Sequence, residues 1–197
     1  MIRIGIIFFT GGGHTGLLAA AVAEGAKATE SVEVRLHPIK GADIVEGRWA
    51  SPTTLDDLTS CDVIIFGTPT YMGGPAAQFK AFADGTAFLW RARSWQGKLA
   101  AGFTTSGNPS GDKVNTLTYL NALAAQHGMI WLNWNELPRQ PDGTNHLGSY
   151  TGLMGQNPQP PGSAPKLSDA DTVSANRFGH YVAASACRLL GSRPSKH

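Results

Sequence analysis

Residues 2–16 read IRIGIIFFTGGGHTG, an apolar run that leads straight into a glycine-rich loop. Residues 17–28 follow, and their many alanines are typical of a helix. A strand, a glycine loop and a helix in this order leave free backbone N–H groups at the helix N-terminus, where an anion is stabilised. The hydroxyl groups of Thr10 and Thr15 add two side-chain donors. The stretch therefore predicts a phosphate-binding loop.

Two kinds of phosphate loop differ in whether they need a lysine. A P-loop has a lysine before its Ser/Thr to reach the β- and γ-phosphates, but here His14 precedes Thr15, which argues strongly against it. The flavodoxin-type loop, T-x-x-G-x-T, holds the terminal phosphate of FMN. Thr10, Gly13 and Thr15 fit that pattern, and amides and hydroxyls can surround a monophosphate ester without a lysine or a metal.

A dinucleotide-binding loop is the third alternative, because residues 11–16 match G-x-G-x-x-G. That motif also expects an acidic residue about 20 positions further on, at the end of the second strand. The strand expected over residues 32–37 ends in His37-Pro38, and Glu33 lies too early in it. A plain turn, in which the glycines only permit a tight bend, is the remaining alternative.

Five segments have the composition of strands, at residues 2–9, 32–37, 63–66, 99–104 and 129–132. Helical stretches separate them, which predicts an α/β fold with a doubly wound parallel sheet in the order 2-1-3-4-5. Glycine- and hydroxyl-rich loops follow the third and fourth strands, at residues 67–75 and 104–111. The carboxyl ends of parallel strands share one sheet edge, so these loops should meet the first loop there. Backbone donors, hydroxyls and an aromatic suit a flat amphipathic ring such as isoalloxazine.

Length and composition predict one globular domain over residues 1–197, with 42% hydrophobic and 15% charged residues. A net charge of +2 gives no argument for nucleic acid as a partner. We expect no membrane span and no secretion signal, and therefore a cytoplasmic location. The two cysteines, Cys61 and Cys187, form no metal or redox motif, and we expect no metal site.

Residues 135–166 are rich in Gly and Pro and predict an irregular insertion of functional or interface character. A capped last helix should follow from Ser168, and residues 191–197 should form a flexible tail. We expect Lys113 and Arg139 to be solvent-exposed.

The chain resembles the WrbA-type NAD(P)H:quinone oxidoreductases of the flavodoxin-like superfamily over about residues 1–134 and 168–190. The matching stretches are TGGGHT (10–15), AEGA (23–26), IFGTPT (65–70), GKLA (97–100) and HGM (127–129). This resemblance implies a homo-oligomer (a dimer or a tetramer), FMN as cofactor, NAD(P)H as electron donor and a quinone-like acceptor.

The resemblance also implies roles for particular residues. The FMN phosphate would be held by Thr10, Gly11, Gly12, Gly13, His14 and Thr15. The isoalloxazine would be bordered by Thr68, Pro69, Thr70, Tyr71, Met72 and Gly73. Its pyrimidine side and ribityl chain would be covered by Thr105, Ser106, Gly107, Asn108, Pro109 and Ser110. His127 would approach the flavin in a catalytic role, and Trp90 would line the substrate site, often that of a neighbouring subunit.

Two other functions remain open from the residues alone. A flavodoxin-like electron carrier would have the same loops without turnover of its own, and carriers of that type are often strongly acidic, unlike this chain. A non-catalytic scaffold would keep the fold and lose FMN.

Overall fold

A parallel sheet forms the middle layer of the protein in the computed structural model, which describes residues 1–138, 140–158, 160 and 162–191. The elements in chain order are β1 (Ile2–Phe8), α1 (His14–Lys27), β2 (Val32–Pro38), a 3₁₀ turn (Gly41–Asp43), β3 (Ile44–Val45), β4 (Arg48–Trp49), α2 (Pro52–Ser60), β5 (Val63–Tyr71), β6 (Gly74–Pro75), α3 (Ala77–Gly85), α4 (Ala87–Arg91), β7 (Leu99–Ser106), α5 (Lys113–Gln126), β8 (Ile130–Trp131), β9 (Leu153–Gln156) and α6 (Asp169–Leu190). The sheet runs β2-β1-β5-β7, with β8 and β9 both beside β7. This order confirms the predicted 2-1-3-4-5 arrangement.

The central strands are apolar because helices cover both faces of the sheet. Strand β5 is buried from Val63 to Thr70. Helices α1 and α6 pack on one face, and α2, α3 and α5 pack on the other. Burial on both faces explains why these strands are continuous apolar runs rather than alternating ones.

Helices α1 and α6 approach to backbone contact through two glycines. A Cβ added at Gly25 would lie 1.9 Å from the carbonyl oxygen of Asn176, and one added at Gly179 would lie 1.9 Å from that of Val22. No larger residue fits either position without moving a helix. The crossing therefore fixes the position of α1, and with it the loop that precedes α1.

The fifth strand is split in two. Strand β8 pairs with the start of β7 at Leu99 and Ala100, and β9 pairs with its end, from Phe103 to Ser106. The chain between them leaves the sheet. The prediction of an irregular insertion over residues 135–166 is therefore wrong for β9, whose four residues are too few to give a clear strand pattern.

The chain after β6 forms two short helices, α3 and α4, rather than one long helix. Helix α3 ends at Gly85, where a Cβ would lie 2.5 Å from the carbonyl oxygen of Trp49. The Trp49 side chain itself is buried against Phe82, with 5.4 Å between the ring centroids. It is a core residue.

Helix α6 begins as expected, because the Ser168 side chain accepts a hydrogen bond from the Asp171 N–H. Within the described part of the chain, no helix is both long enough and apolar enough to cross a membrane. Arg139 and all of the expected tail except Gly191 lie outside the described residues.

Candidate functional site

The first loop joins β1 to α1 and leaves the N-terminus of that helix open. Gly13 occupies the N-cap position with φ 91°, a left-handed conformation that glycine adopts without strain. No side chain of the described residues caps α1. The Thr10 Oγ1 atom is buried and has no hydrogen-bond partner among those residues. It lies close to the first helical turn, 3.6 Å from where a Cβ on Gly16 would be.

Hydroxyl pairs tie the three loops together. Thr15, in the first turn of α1, bonds to Thr105 at the end of β7, with 2.8 Å between their Oγ1 atoms. Thr70, at the end of β5, lies 2.8 Å from the Oγ1 atoms of both Thr104 and Thr116. All five threonines are buried. The loops at this carboxyl edge are therefore held in a fixed mutual arrangement.

The second loop is a tight hairpin that stands above the first. Thr70 pairs with Pro75, and Tyr71 with Gly74. The two residues between them, Met72 and Gly73, have φ values of 49° and 76°, as in a type I′ turn. A Cβ on Gly11 would lie 2.3 Å from the Tyr71 hydroxyl, so this ring reaches across to the first loop. Tyr71 and Met72 both have exposed side chains.

The third loop is built around Lys113, and the prediction that this lysine is solvent-exposed is wrong. Its side chain is 0% exposed. The Nζ atom donates to Ser106 Oγ at 2.8 Å, to the Asn108 carbonyl at 2.8 Å and to the Pro109 carbonyl at 2.9 Å. The loop folds back over the first turn of α5 and covers the stem of the lysine.

A segment far along the sequence packs against the first loop. A Cβ on Gly13 would lie 2.6 Å from Pro165 Cγ. The backbone N–H of Lys166 donates to His14 Nε2 over 3.4 Å. His14 is buried as a result. No local pattern in the sequence indicates this contact.

The structure does not bring His127 to the three loops within one chain. Helix α5 starts after the third loop and runs back, so its C-terminus lies at the amino edge of the sheet. There Gly97 N–H donates to the Gly128 carbonyl at 2.9 Å. His127 lines a cleft of about 590 Å³ together with Trp90. The two residues expected at the substrate side therefore share a second, separate location.

His127 is a neutral, buried side chain. The Thr86 hydroxyl donates to the Ala83 carbonyl at 2.7 Å, so at 2.9 Å it must accept from His127 Nε2–H. This leaves Nδ1 as a bare acceptor, and it has no partner among the described residues. The ring also packs on Trp95, with 4.5 Å between centroids. Burial lowers the pKa of His127 to about 4.

Known proteins resemble this chain along most of its length. The family model of NADPH-dependent FMN reductases matches residues 9–138, more than half of the chain. This chain belongs to that family. It is an FMN-dependent oxidoreductase that uses NAD(P)H as its electron donor, and the resemblance to the WrbA-type enzymes is confirmed.

Three relatives illustrate the range of the family. A WrbA-like flavodoxin from Agrobacterium tumefaciens is 37% identical, with a TM-score of 0.74 over 95% of this chain and 99% of that one. Flavodoxin FldP of Pseudomonas aeruginosa is 38% identical over 163 residues, which cover 80% of this chain and 83% of the relative. An NAD(P)H dehydrogenase (quinone) of Geobacter sulfurreducens is 30% identical over 202 residues, covering 94% and 98%.

The carboxyl edge has groups that fit the FMN of this reductase family. An uncapped helix N-terminus and a buried hydroxyl without a partner suit a phosphate ester. The structure brings the predicted loop residues together there, in the three stretches 10–15, 68–73 and 105–110. It adds Pro165 and Lys166, and it adds Lys113, which was expected to be solvent-exposed.

Proposed function

We propose that the three loops of the carboxyl edge bind FMN and that the enzyme passes two electrons from NAD(P)H to a quinone-like acceptor. The observation that carries the binding site is the buried Thr10 hydroxyl, which has no partner among the described residues and lies at the open N-terminus of α1. An unpaired buried polar group is costly. A phosphate oxygen at this position would satisfy it.

The first loop would hold the phosphate through its amides and through Thr10 and Thr15. Pro165 and Lys166 pack on this loop at Gly13 and His14, and they would keep it closed against bulk water. No ammonium group of the loop itself is involved, so the anion would be stabilised by oriented dipoles and hydroxyls.

The second and third loops would border the ring. Tyr71 and Met72 form an exposed rim, and the stretch 105–110 offers backbone and hydroxyl groups beside it. Bound FMN would supply the hydride and electron chemistry that links NAD(P)H to the acceptor. This chain would orient the ring, leave one face open to both substrates in turn and hold donors near the pyrimidine carbonyls.

A quinone acceptor is supported by the relative from Geobacter sulfurreducens, which is named for that reaction. Trp90 and His127 would contribute only from a neighbouring copy, because in one chain they lie at the opposite sheet edge. The proposal therefore includes a homo-oligomer. Both cysteines are free thiols, which fits a reducing cytoplasm.

One experiment tests the proposal. The protein is purified with FMN, its visible spectrum is recorded, and NAD(P)H oxidation is followed with and without benzoquinone. We expect bound flavin and oxidation that depends on benzoquinone. A protein that stays colourless in excess FMN would contradict the binding site, and bound flavin without turnover would contradict the acceptor.

Electron carriage is the second candidate, favoured by the relative named as a flavodoxin, at 38% identity. A carrier would exchange electrons with a partner protein rather than with a small quinone. For a carrier, we expect NAD(P)H alone to reduce the flavin slowly and a reductase partner to reduce it fast. The net charge of +2 does not favour docking on a basic partner.

A further inference from the structure

Lys113 is buried in a place where a lysine is costly. Its side chain is 0% exposed, and its three N–H donors are taken by Ser106, Asn108 and Pro109. No acidic side chain of the described residues lies within ion-pairing distance of it. Its stabilising contacts are therefore neutral oxygens, which offset only part of the loss of hydration.

The N-terminus of α5 adds a further electrostatic cost for a cation at this position. Lys113 is the first residue of α5, and the N-terminus of a helix carries a partial positive charge. The Asp171 carboxylate favours the charged form of Lys113, but it is already held by His146 at 2.9 Å and by the Gln156 N–H at 3.2 Å. The ammonium group and the N-terminus of α5 thus both place positive charge beneath the third loop. Such local conflicts concentrate at functional sites.

The three bonds also shape the loop. Asn108 and Pro109 are exposed, and their carbonyls turn inward to the ammonium group. Ser106 Oγ both accepts from Lys113 and donates to the Asn108 carbonyl at 2.9 Å. The lysine is the centre around which residues 106–109 fold.

We propose that Lys113 is a positioning residue for the cofactor, which holds the third loop in shape and lends positive potential to the pyrimidine side of the ring. The proposal rests on FMN binding at the three loops. Its consequence is that reduced FMN, which carries negative charge near N1 and the C2 carbonyl, binds more tightly than it would over a neutral loop.

The test compares Lys113→Met with the natural protein at pH 7. Burial lowers the pKa of Lys113 to about 8, so the group is mainly protonated there. The dissociation constant of oxidised FMN is measured with apo-protein by fluorescence quenching, and the two-electron midpoint potential with the loaded protein. We expect the affinity for reduced FMN to fall about tenfold more than that for oxidised FMN. That ratio equals a potential lower by about 30 mV.

Lys98→Met is the matched control. Lys98 also donates to two main-chain carbonyls, those of Thr59 at 2.7 Å and Cys61 at 2.6 Å, but it lies at the opposite edge of the sheet. Its loss should leave the potential unchanged. A shift equal to that of Lys113→Met would overturn the proposal, since any ammonium group bound to main-chain carbonyls would then have the same effect.

Asp171→Asn tests the electrostatic role of Lys113 independently. It removes the negative charge that opposes Lys113 and keeps the size of the side chain, so the potential should rise. A general loosening of the loop would not produce shifts of opposite sign in the two variants. Equal loss of both FMN affinities in Lys113→Met, with the potential unchanged, overturns the electrostatic role. Failure of the natural protein to bind FMN overturns the proposed site instead.

Discussion

The two edges of the parallel sheet are built by different means. At the carboxyl edge, buried hydroxyls join the loops, one hydroxyl has no partner among the described residues, and a buried cation supports the third loop. At the amino edge, His127 packs on Trp95, whose indole N–H donates to Thr59 at 3.0 Å. Aromatic packing stabilises the amino edge, where the His127 Nδ1 atom also has no partner among the described residues. The open helix N-terminus and the buried cation instead prepare the carboxyl edge for an anionic ligand.

Lys98, which is half-buried, and Lys113, which is fully buried, make the same contrast at the level of single residues. Lys98 binds the carbonyls of Thr59 and Cys61 and so fastens the end of α2 to the start of β7. Lys113 binds the carbonyls of Asn108 and Pro109 within the exposed third loop. Lys98 therefore connects two secondary-structure elements, whereas Lys113 fixes the shape of an exposed loop.

The largest expected effect is on acid stability, and it lies at the amino edge. His127 has a native pKa of about 4 against 6.5 in the unfolded chain. The unfolded state therefore binds more protons between these pH values. The stability from neutral His127 is complete above pH 6.5 and is lost as the pH falls to about 4, by roughly 3 kcal/mol.

Denaturant titrations of the natural protein and of His127→Gln at pH 7 and pH 4.5 measure this effect. The loss between the two pH values should be smaller in the variant. His180→Gln, at an exposed position on α6, is the control and should behave as the natural protein does. Equal losses in all three proteins would mean that His127 is not the titrating group.

The second effect lies at the carboxyl edge and concerns binding. Thr10→Ala removes the hydroxyl proposed to contact the phosphate, and a hydrogen bond to a charged group contributes about 2 kcal/mol. The dissociation constant for FMN should rise about 30-fold, with the apo-protein as stable as before, because Thr10 Oγ1 has no partner among the described residues. Thr118→Ala, on the exposed side of α5, is the control. An unchanged dissociation constant at limiting FMN contradicts the phosphate site.

Much of the carboxyl edge could be predicted because its signals are local. A glycine and hydroxyl loop between an apolar run and a helix is visible in residues 2–16, and parallel strands bring such loops to one edge. The burial of Lys113 had no such signal, because it depends on how residues 106–109 fold back. Pro165 and Lys166 reach the first loop from about 150 positions away.

The position of His127 can be predicted from the topology of the sheet. A helix that follows β7 must return to the amino edge before the next parallel strand begins, so its last residue cannot reach the loops of its own chain. The expectation that His127 contacts the flavin rests on the resemblance to the family alone and takes no account of the direction of α5. It stays a prediction for an assembly of several copies.

The third effect separates two adjacent glycines of the first loop. Gly13 has φ 91° and faces Pro165, so Gly13→Ala introduces both backbone strain and a contact at 2.6 Å. We expect it to lower the free energy of unfolding by about 1–2 kcal/mol. Gly12 has nothing within 4 Å of a Cβ, and Gly12→Ala should change it by less than about 0.5 kcal/mol. Denaturant titration of the apo-proteins distinguishes the two, and equal costs would contradict both the left-handed conformation of Gly13 and its packing on Pro165.

The smallest effect tests whether the two edges act independently. Thr70→Val removes the hydroxyl that links the second and third loops through Thr104 and Thr116. Thr86→Val removes the hydroxyl that binds His127 and the Ala83 carbonyl. Each substitution leaves buried partners unsatisfied and should cost about 1 kcal/mol in the free energy of unfolding.

Only Thr70→Val should also weaken FMN binding, by about fivefold, because it loosens the loops that border the ring. An equal loss of FMN affinity in Thr86→Val would show that the amino edge supports the binding site, and the contrast between the two edges would then fail.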